Sequence, residues 1–524
     1  MNAPERRLGT PPGHRTSPLE TEWDLIVIGA GPAGLAAATV GANANLKTLL
    51  LDENAGPGGQ VYRGIAGSRF MRHRSLLGED YWHGEQLVDA LEASAARVAH
   101  DAAVWSLDAT REVGVLIDGA AQMLQAREVV IATGALERPF PIPGWTLPGV
   151  MTVGAAQTLL KSSGLVADGS TILAGCGPLL WLLAAQTLRA GGRIDAILDT
   201  TPRENWLEAL PLMPAFIRSP LFRKGLSLMR EVRAATKVTT GIVALEAVAD
   251  REGQLAAVEW RTASGRHGSA DTRHLLLHQG VVPNVNLAMA AGVEHRWDDQ
   301  QLCWRPVLDA SGATAMAGLS IAGDGAGIAG AWAAEARGRI AACAAVRRIC
   351  DLPAARADRA ATRDSSARCD RKDAIATTDP TDTIGAIEAI GAIEANSRAM
   401  LTRHEAGRAF IDTLYRPARA FRIPAHDDTI VCRCEEVTAG QIREAASHGC
   451  EGPNQMKAFL RCGMGPCQGR MCGLTVTELI AEARGTNAQA IGYYRLRPPV
   501  KPIPLSALAA MPAGNDAVNA VVRG

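Results

Sequence analysis

Short, unbroken apolar runs alternate with alanine-rich stretches of helical period along the first two thirds of the chain, and glycine turns separate them. Residues 23 to 53, WDLIVIGAGPAGLAAATVGANANLKTLLLDE, show the unit: an apolar run, a glycine turn, an alanine-rich helix and a second run ending in acids. A run without polar alternation, bounded by turn residues, predicts a strand buried on both faces of a helix-covered parallel sheet. Residues 170 to 199, STILAGCGPLLWLLAAQTLRAGGRIDAILD, repeat the order and end at Asp199. Two such units predict an α/β fold with two lobes.

The rhythm breaks at 353 to 398, where Ala, Arg, Asp, Thr and Ser dominate and IGAIEA occurs twice in tandem at 384 to 395. A six-residue duplication is too short for a solenoid, so it predicts a mobile linker or helical extension. Aromatic and proline anchors return afterwards, and order is expected to resume near residue 408. Thr438 with Gln441 predicts a capping box for a helix over QIREAASHG, ended by Gly449. Further helices are expected over about 454 to 461 and 474 to 484, giving a small all-α domain. The prolines of RLRPPVKPIPLSALAAM predict an extended tail lying on another domain or a partner subunit, without regular helix before Pro504. The expected boundaries are a disordered tail at 1–20, a discontinuous first domain at 21–155 and 274–350, a second at 156–273, a linker at 351–407, the all-α domain at 408–487, and the extended tail at 488–524.

Lys+Arg and Asp+Glu balance at 54 each, which leaves no long-range field to favour nucleic acid. No uninterrupted span of about 20 apolar residues occurs, so no transmembrane helix is expected, and peripheral membrane contact is left open. Arg6 and Arg7 lack the hydrophobic stretch of an export signal. Eleven cysteines in 524 residues are too sparse for a disulfide scaffold and point to a reducing compartment, the cytoplasm.

Gly29, Gly31 and Gly34 form G-x-G-x-x-G between strand and helix. The first glycine permits the tight turn, the second lets a pyrophosphate approach the backbone, and the third lets helix and strand pack closely. Asp52, at the end of the second strand, is placed to accept hydrogen bonds from a ribose diol, with Glu53 in reserve. In the second unit Leu180 replaces the third glycine, which argues against NAD(P) there and for a structural relic, whereas Asp199 argues the other way.

Cys432 and Cys434 form C-x-C, and after 32 intervening residues Cys467 and Cys472 form C-x4-C. Two close pairs on separate loops supply the four thiolates of a [2Fe-2S] centre; zinc sites use pairs more widely spaced than C-x-C. Cys462 competes for a ligand position, but Cys467 sits in the glycine-flanked turn. Cys176, Cys303, Cys343, Cys350, Cys369 and Cys450 read as reduced thiols without a role. His278 and His295 are isolated and read as structural, and no catalytic constellation emerges.

Three segments, GPGGQVYR (56 to 63), VVIATGALERP (129 to 139) and LSIAGDGAGIAGA (319 to 331), resemble the flavin-contacting segments of the glutathione-reductase and thioredoxin-reductase superfamily, with its two Rossmann-like domains. The resemblance implies FAD, with Gly59 and Gln60 along the flavin, Thr133 and Gly134 at the exit from the first lobe, and Asp324 on the ribityl or pyrophosphate region. HLLLHQGVVPNVN, 274 to 286, looks like the return into the flavin lobe. No C-x-x-C occurs anywhere, so disulfide reduction is not expected. The cysteine region resembles the all-helical [2Fe-2S] domain of bacterioferritin-associated ferredoxin (BFD-like), in which Arg470 would offset the cluster's charge or be a solvated surface arginine.

The order of parts over about residues 21 to 505, the 353 to 398 linker excepted, with CGPLLWLLAAQ, PIPGWTLPGVMTVGAAQTLLK and DDTIVCRCEEV between them, is similar to the A subunits of opine oxidases and their equivalents in hydrogen cyanide synthase and D-hydroxyproline dehydrogenase. That resemblance implies an oxidoreductase subunit that relays electrons from a second, substrate-binding flavoprotein (beta) subunit to a quinone or other acceptor. A small ferredoxin-like subunit is a further conceivable partner. An NAD(P)H-dependent reductase, and an assembly subunit holding FAD, NAD or ATP structurally, stay open as alternatives.

Overall fold

The computed structural model describes residues 19–67, 70–350 and 380–511. The expectations for most of the N-terminal tail, for Cys369 and the first half of the linker, and for the last residues of the C-terminal tail lie outside them.

The first apolar unit forms the centre of a seven-stranded sheet. Its strands run in the order Arg97–Ala99, Thr48–Leu51, Glu22–Ile28, Ala120–Ile131, Glu112–Ile117, Ala103–Leu107, and Leu319–Ile321 joins Ala120–Ile131 in parallel. The strands nearest Glu22–Ile28 pair in parallel and are mostly apolar, because helices cover both faces. Helices Pro32–Asn43 and Ala331–Ile349 pack against each other on one face, with Leu25, Val27, Leu50 and Val130 beneath them.

The second unit builds a five-stranded parallel sheet in the order Lys237–Thr240, Ala196–Asp199, Thr171–Cys176, His274–Gln279, Val150–Thr152. Two strands of the expected boundaries therefore shift lobes. His274–Gln279 completes the second sheet instead of returning to the first, and Val150–Thr152 belongs to the second sheet although it precedes the expected start. Apolar periodicity identifies a buried strand but not the sheet it joins. The return comes at Val281–Pro283, which pairs with Ala135–Glu137 on the way out, so the two crossings lie side by side.

Of the two readings of the linker, its second half takes the helical extension, although order resumes well before the expected residue 408. That helix, Pro380–Glu405, packs along Ala331–Ile349 with Ile390, Glu394 and Ser397 buried. Glu394 forms an ion pair with Arg347 and a second, at 2.7 Å, with Arg398.

Beyond it the small domain has the three helices expected, at Ala439–Ser447, Pro453–Leu460 and Gly473–Ala483, and both hydrogen bonds of the Thr438–Gln441 capping box are made. The domain is docked on both lobes. Trp145 Nε1 donates to Ile430 O at 2.7 Å, and Asn286 Nδ2 donates to Gln468 O at 3.0 Å. The tail then crosses back extended, and its Val500 N–H donates to Trp105 O before helix Leu505–Ala509 begins. No described helix is long and apolar enough to cross a membrane.

Candidate functional site

The first glycine turn divides its work as the spacing requires. Gly29 has φ +107°, and a Cβ there would lie 2.5 Å from the carbonyl oxygen of Ala132. On Gly34 a Cβ would fall 1.7 Å from Gly29 O, so only hydrogen lets the helix seat on the turn. Gly31 N-caps the helix and faces Gly59 across the mouth of a cavity of about 580 Å³. Gly29, Gly31, Asp52, Gly59 and Gln60 line that cavity, and so do Thr133, Gly134 and Asp324. Gly34 lies beneath it as a packing residue.

Asp52 is buried, and its carboxylate is already at work. Oδ2 accepts from Ala30 N at 2.5 Å, and Oδ1 accepts from Asn54 N at 2.8 Å and Asn54 Nδ2 at 2.7 Å. It thus ties the glycine turn to the end of its own strand, while a carboxylate retains spare lone pairs for a ligand. Glu53 pairs with Lys501 of the tail. Asp324 Oδ1 accepts from Ala329 N and Gly330 N at 2.9 and 3.0 Å, bracing the segment before helix Ala331–Ile349.

Sequence reasoning missed the far end of the cavity, which helix Val153–Ser163 and the strand Ala135–Glu137 build. Lys161 is buried there. Its ammonium donates to Gln60 O at 3.2 Å, Val61 O at 2.9 Å and Gln157 Oε1 at 2.9 Å. Burial, with Arg63 and Lys224 nearby, pushes its pKa down to about 7. Glu137 accepts from Gly154 N at 2.8 Å and is bonded to His278 Nδ1 at 2.6 Å, so His278 is not isolated. His295 is structural: Nδ1 bonds Val293 O at 2.8 Å, and burial lowers its pKa to about 4. A lysine one helix beyond a strand carries no motif, which is why only the fold reveals it.

The second glycine turn is built differently. Leu180 is fully buried in the core of its lobe with Leu173, Ile197 and Leu276. The His278 imidazole lies beside Gly177, 3.4 Å from where a Cβ would stand. Asp199 Oδ1 accepts from Thr201 N at 2.9 Å and Thr201 Oγ1 at 2.6 Å, and burial raises its carboxyl pKa.

Five thiols gather in the small domain. The Sγ atoms of Cys432, Cys462 and Cys472 all lie within 4.8 Å of one another. Cys467 hydrogen-bonds to both Cys472 and Cys434. Cys472 thus neighbours Cys432, Cys462 and Cys467, and Cys467 in turn neighbours Cys434, so all five thiols belong to one cluster. Cys462 is buried, and the Tyr494 hydroxyl is 3.6 Å from its sulfur and 3.7 Å from that of Cys472. Hydrogen bonds from Cys462 and Cys472 bring the Cys432 thiol down to about 2, and one from Cys472 brings Cys467 down to about 5. The thiols of Cys434, Cys462 and Cys472 are shifted up in turn, so ionisation is uneven across a soft donor set whose chemistry suits iron–sulfur or zinc.

The two sites adjoin. Arg470, on the loop between Cys467 and Cys472, lines the same cavity together with Val500 and Lys501 of the tail. The small domain is thus a wall of the cavity, and the expectation that a mobile linker separates the two sites is corrected.

Comparison with known proteins agrees with this architecture. Residues 23–345 match the model of the pyridine nucleotide-disulphide oxidoreductase family, and residues 427–512 match the sarcosine oxidase A3 domain. The A subunit of opine oxidase from Rhizobium meliloti is 42% identical over 96% of this chain and 90% of its own. The HcnB subunit of hydrogen cyanide synthase from Pseudomonas aeruginosa is 30% identical over 92% and 97%. The crystal structure of L-proline dehydrogenase from P. horikoshii shares the fold, with a TM-score of 0.64 at 16% identity over 95% of this chain and 82% of that one. The mixed α/β body is thus a Rossmann-type oxidoreductase fold followed by a helical C-terminal region, and the chain belongs to the pyridine nucleotide-disulphide oxidoreductase family and, within it, to the opine oxidase A subunits.

Proposed function

We propose that this chain is the electron-transferring subunit of a heteromeric amino-acid or imino-acid dehydrogenase or oxidase, holding FAD in the first lobe and a [2Fe-2S] cluster in the small domain. The observation that carries this reading is the contact between the sites: one loop supplies two of the five gathered thiols and a side chain of the cavity. When bound, FAD takes up two electrons together and gives them up singly, which suits it to stand between C–N bond oxidation and a one-electron cluster.

The chain's own residues support the assignment. Gly31 and Gly59 leave the cavity mouth open to a diphosphate, and the N-terminus of helix Pro32–Asn43 favours negative charge there. Asp52 is the ribose candidate, Asp324 the candidate for the ribityl or pyrophosphate region, and Gln60 the candidate beside the flavin, held by Lys161. Cys432, Cys434, Cys467 and Cys472 are the proposed ligands, with Cys462 and Tyr494 as donors behind them. Substrate oxidation is assigned to a partner flavoprotein subunit, since the relatives are themselves named as subunits. Cytoplasmic placement is part of the same proposal.

The reductase alternative is disfavoured by the second turn, where the His278 imidazole lies beside Gly177 and Leu180 takes the packing position of the third glycine. The test is cofactor analysis of the purified chain with activity assays. About one FAD and two irons per chain are expected, with no oxidation of opines, hydroxyproline or glycine until the partner is added. Stoichiometric zinc without acid-labile sulfide, turnover by the homogeneous chain, or rapid bleaching of the flavin by NADH would each refute it.

A further inference from the structure

Three cations among the described residues line the nucleotide cavity, and two of them are already committed. Lys161 directs its ammonium at two carbonyls and an amide oxygen. Lys501 is paired with Glu53. Arg470 is different: one of its five N–H donors reaches Val500 O at 3.0 Å, and it has no carboxylate partner among the described residues. Asp52, Glu53, Glu137 and Asp324 line the same cavity, yet none of them is within ion-pair distance of Arg470, and a half-buried guanidinium left unpaired is costly unless a ligand supplies its anion.

The loop that presents this arginine is held on both sides. Arg470 N donates to Cys467 O at 3.1 Å and Gly473 N to Gly469 O at 2.8 Å, while Asn286, buried in the first lobe, holds Gln468 O. Val500, which receives the Arg470 bond, is itself hydrogen-bonded to Trp105 of the first sheet. Any anion that binds Arg470 therefore acts directly on the segment between Cys467 and Cys472.

We propose that Arg470 binds the phosphates of the dinucleotide, so that the cysteine loop closes the cavity and nucleotide and cluster hold each other in place. This rests on the assignment of a dinucleotide and a cluster to the two sites. By linkage, whatever factor the cluster-bearing loop adds to nucleotide affinity, the nucleotide returns to cluster retention. Loss of charge-assisted bonds to phosphate should weaken nucleotide binding about tenfold to a hundredfold.

The experiment uses the full-length protein with its cluster. The bound nucleotide is extracted and identified, its dissociation constant is measured in wild type and Arg470→Gln, and iron release to a chelator is timed with the cavity empty and filled. Arg461→Gln, in the small domain but outside the cavity, is the control. The expected result is weaker binding in Arg470→Gln with iron content retained, no change in Arg461→Gln, and slower iron release in nucleotide-filled wild type that Arg470→Gln abolishes. Wild-type affinity in an Arg470→Gln protein with an intact cluster overturns the proposal. Should that variant lose its cluster, wild type decides alone: equal iron release with and without nucleotide overturns it. Extraction of ATP or NAD instead of FAD refutes the flavin reading, while the Arg470 contact is then measured with that nucleotide. Failure to bind FAD, NAD or ATP refutes both.

Discussion

Lys161 shows what a single buried charge does in this fold. Its three acceptors come from two chain segments, so it fastens helix Val153–Ser163 to the loop carrying Gly59 and Gln60. Because its folded pKa, about 7, lies below that of a free lysine, the unfolded chain binds more protons between about 7 and 10.5. The group's contribution is therefore least favourable below pH 7 and improves as pH rises through that window. Raising the pH from 7 to 9 should lift the wild-type thermal midpoint relative to that of Lys161→Met; parallel midpoints would contradict the burial argument. The thiols give a second test. Cys467→Ser and Cys472→Ser should lose most of the iron, because a hydroxyl poorly replaces a soft ligand. Cys462→Ala should keep the iron but lower the cluster potential by a few tens of millivolts, about the worth of one hydrogen-bond donor. Loss of iron in Cys462→Ala with retention in Cys467→Ser would move the ligand set to the buried triad. At this scale the glycines, Asp52 and the four cysteines stand out in the sequence because each belongs to a spacing, and the structure brings the glycine turn and Asp52 to one cavity and the cysteines to one cluster. Lys161, Glu137 and Arg470 belong to none, and tertiary structure alone brings them to the cavity.

Among the elements, helix Pro380–Glu405 is instructive: a helical extension is one reading of the stretch, but its close packing on Ala331–Ile349 is not foreseen. A six-residue repeat does not match the helical period of 3.6, so its isoleucines do not stay on one face, and the inward positions include Glu394 and Ser397. A buried carboxylate reads as polar linker until Arg347, from helix Ala331–Ile349, is seen beside it. Removing one partner of a buried pair leaves an uncompensated charge, so Glu394→Ala should destabilise the protein by about 3 kcal/mol. Arg398, whose side chain is 36% exposed, should cost less than about 1 kcal/mol when replaced by alanine. Denaturant unfolding of both variants checks this; equal, small losses would show that the helix is held by apolar contacts such as Ile390 alone. The helices of the small domain were legible for the opposite reason: a capping box and terminal glycines lie in the local sequence. The segment holding His274–Gln279 reads in the sequence as the return into the first lobe, and the strand Val150–Thr152 is not foreseen there, because strand pairing is decided by partners far along the chain.

Across the whole molecule, the two α/β lobes and the helical domain follow the pattern of the sequence, whereas their arrangement does not. Composition marked the stretch before residue 398 as a spacer, yet the small domain is fixed by Trp145, Asn286 and the extended tail, and it walls the candidate nucleotide cavity. That arrangement places the candidate flavin and cluster sites beside one another, as an electron relay needs. The central claim is that electrons taken from an amine by the partner subunit pass to this chain's cluster. The most direct measurement is electron paramagnetic resonance of the anaerobic complex, rapidly frozen after mixing with its amine substrate. The account predicts that the signal of the reduced [2Fe-2S] cluster appears at least as fast as turnover, and that the isolated chain mixed with the same substrate stays silent. Full turnover with the cluster still oxidised would contradict it.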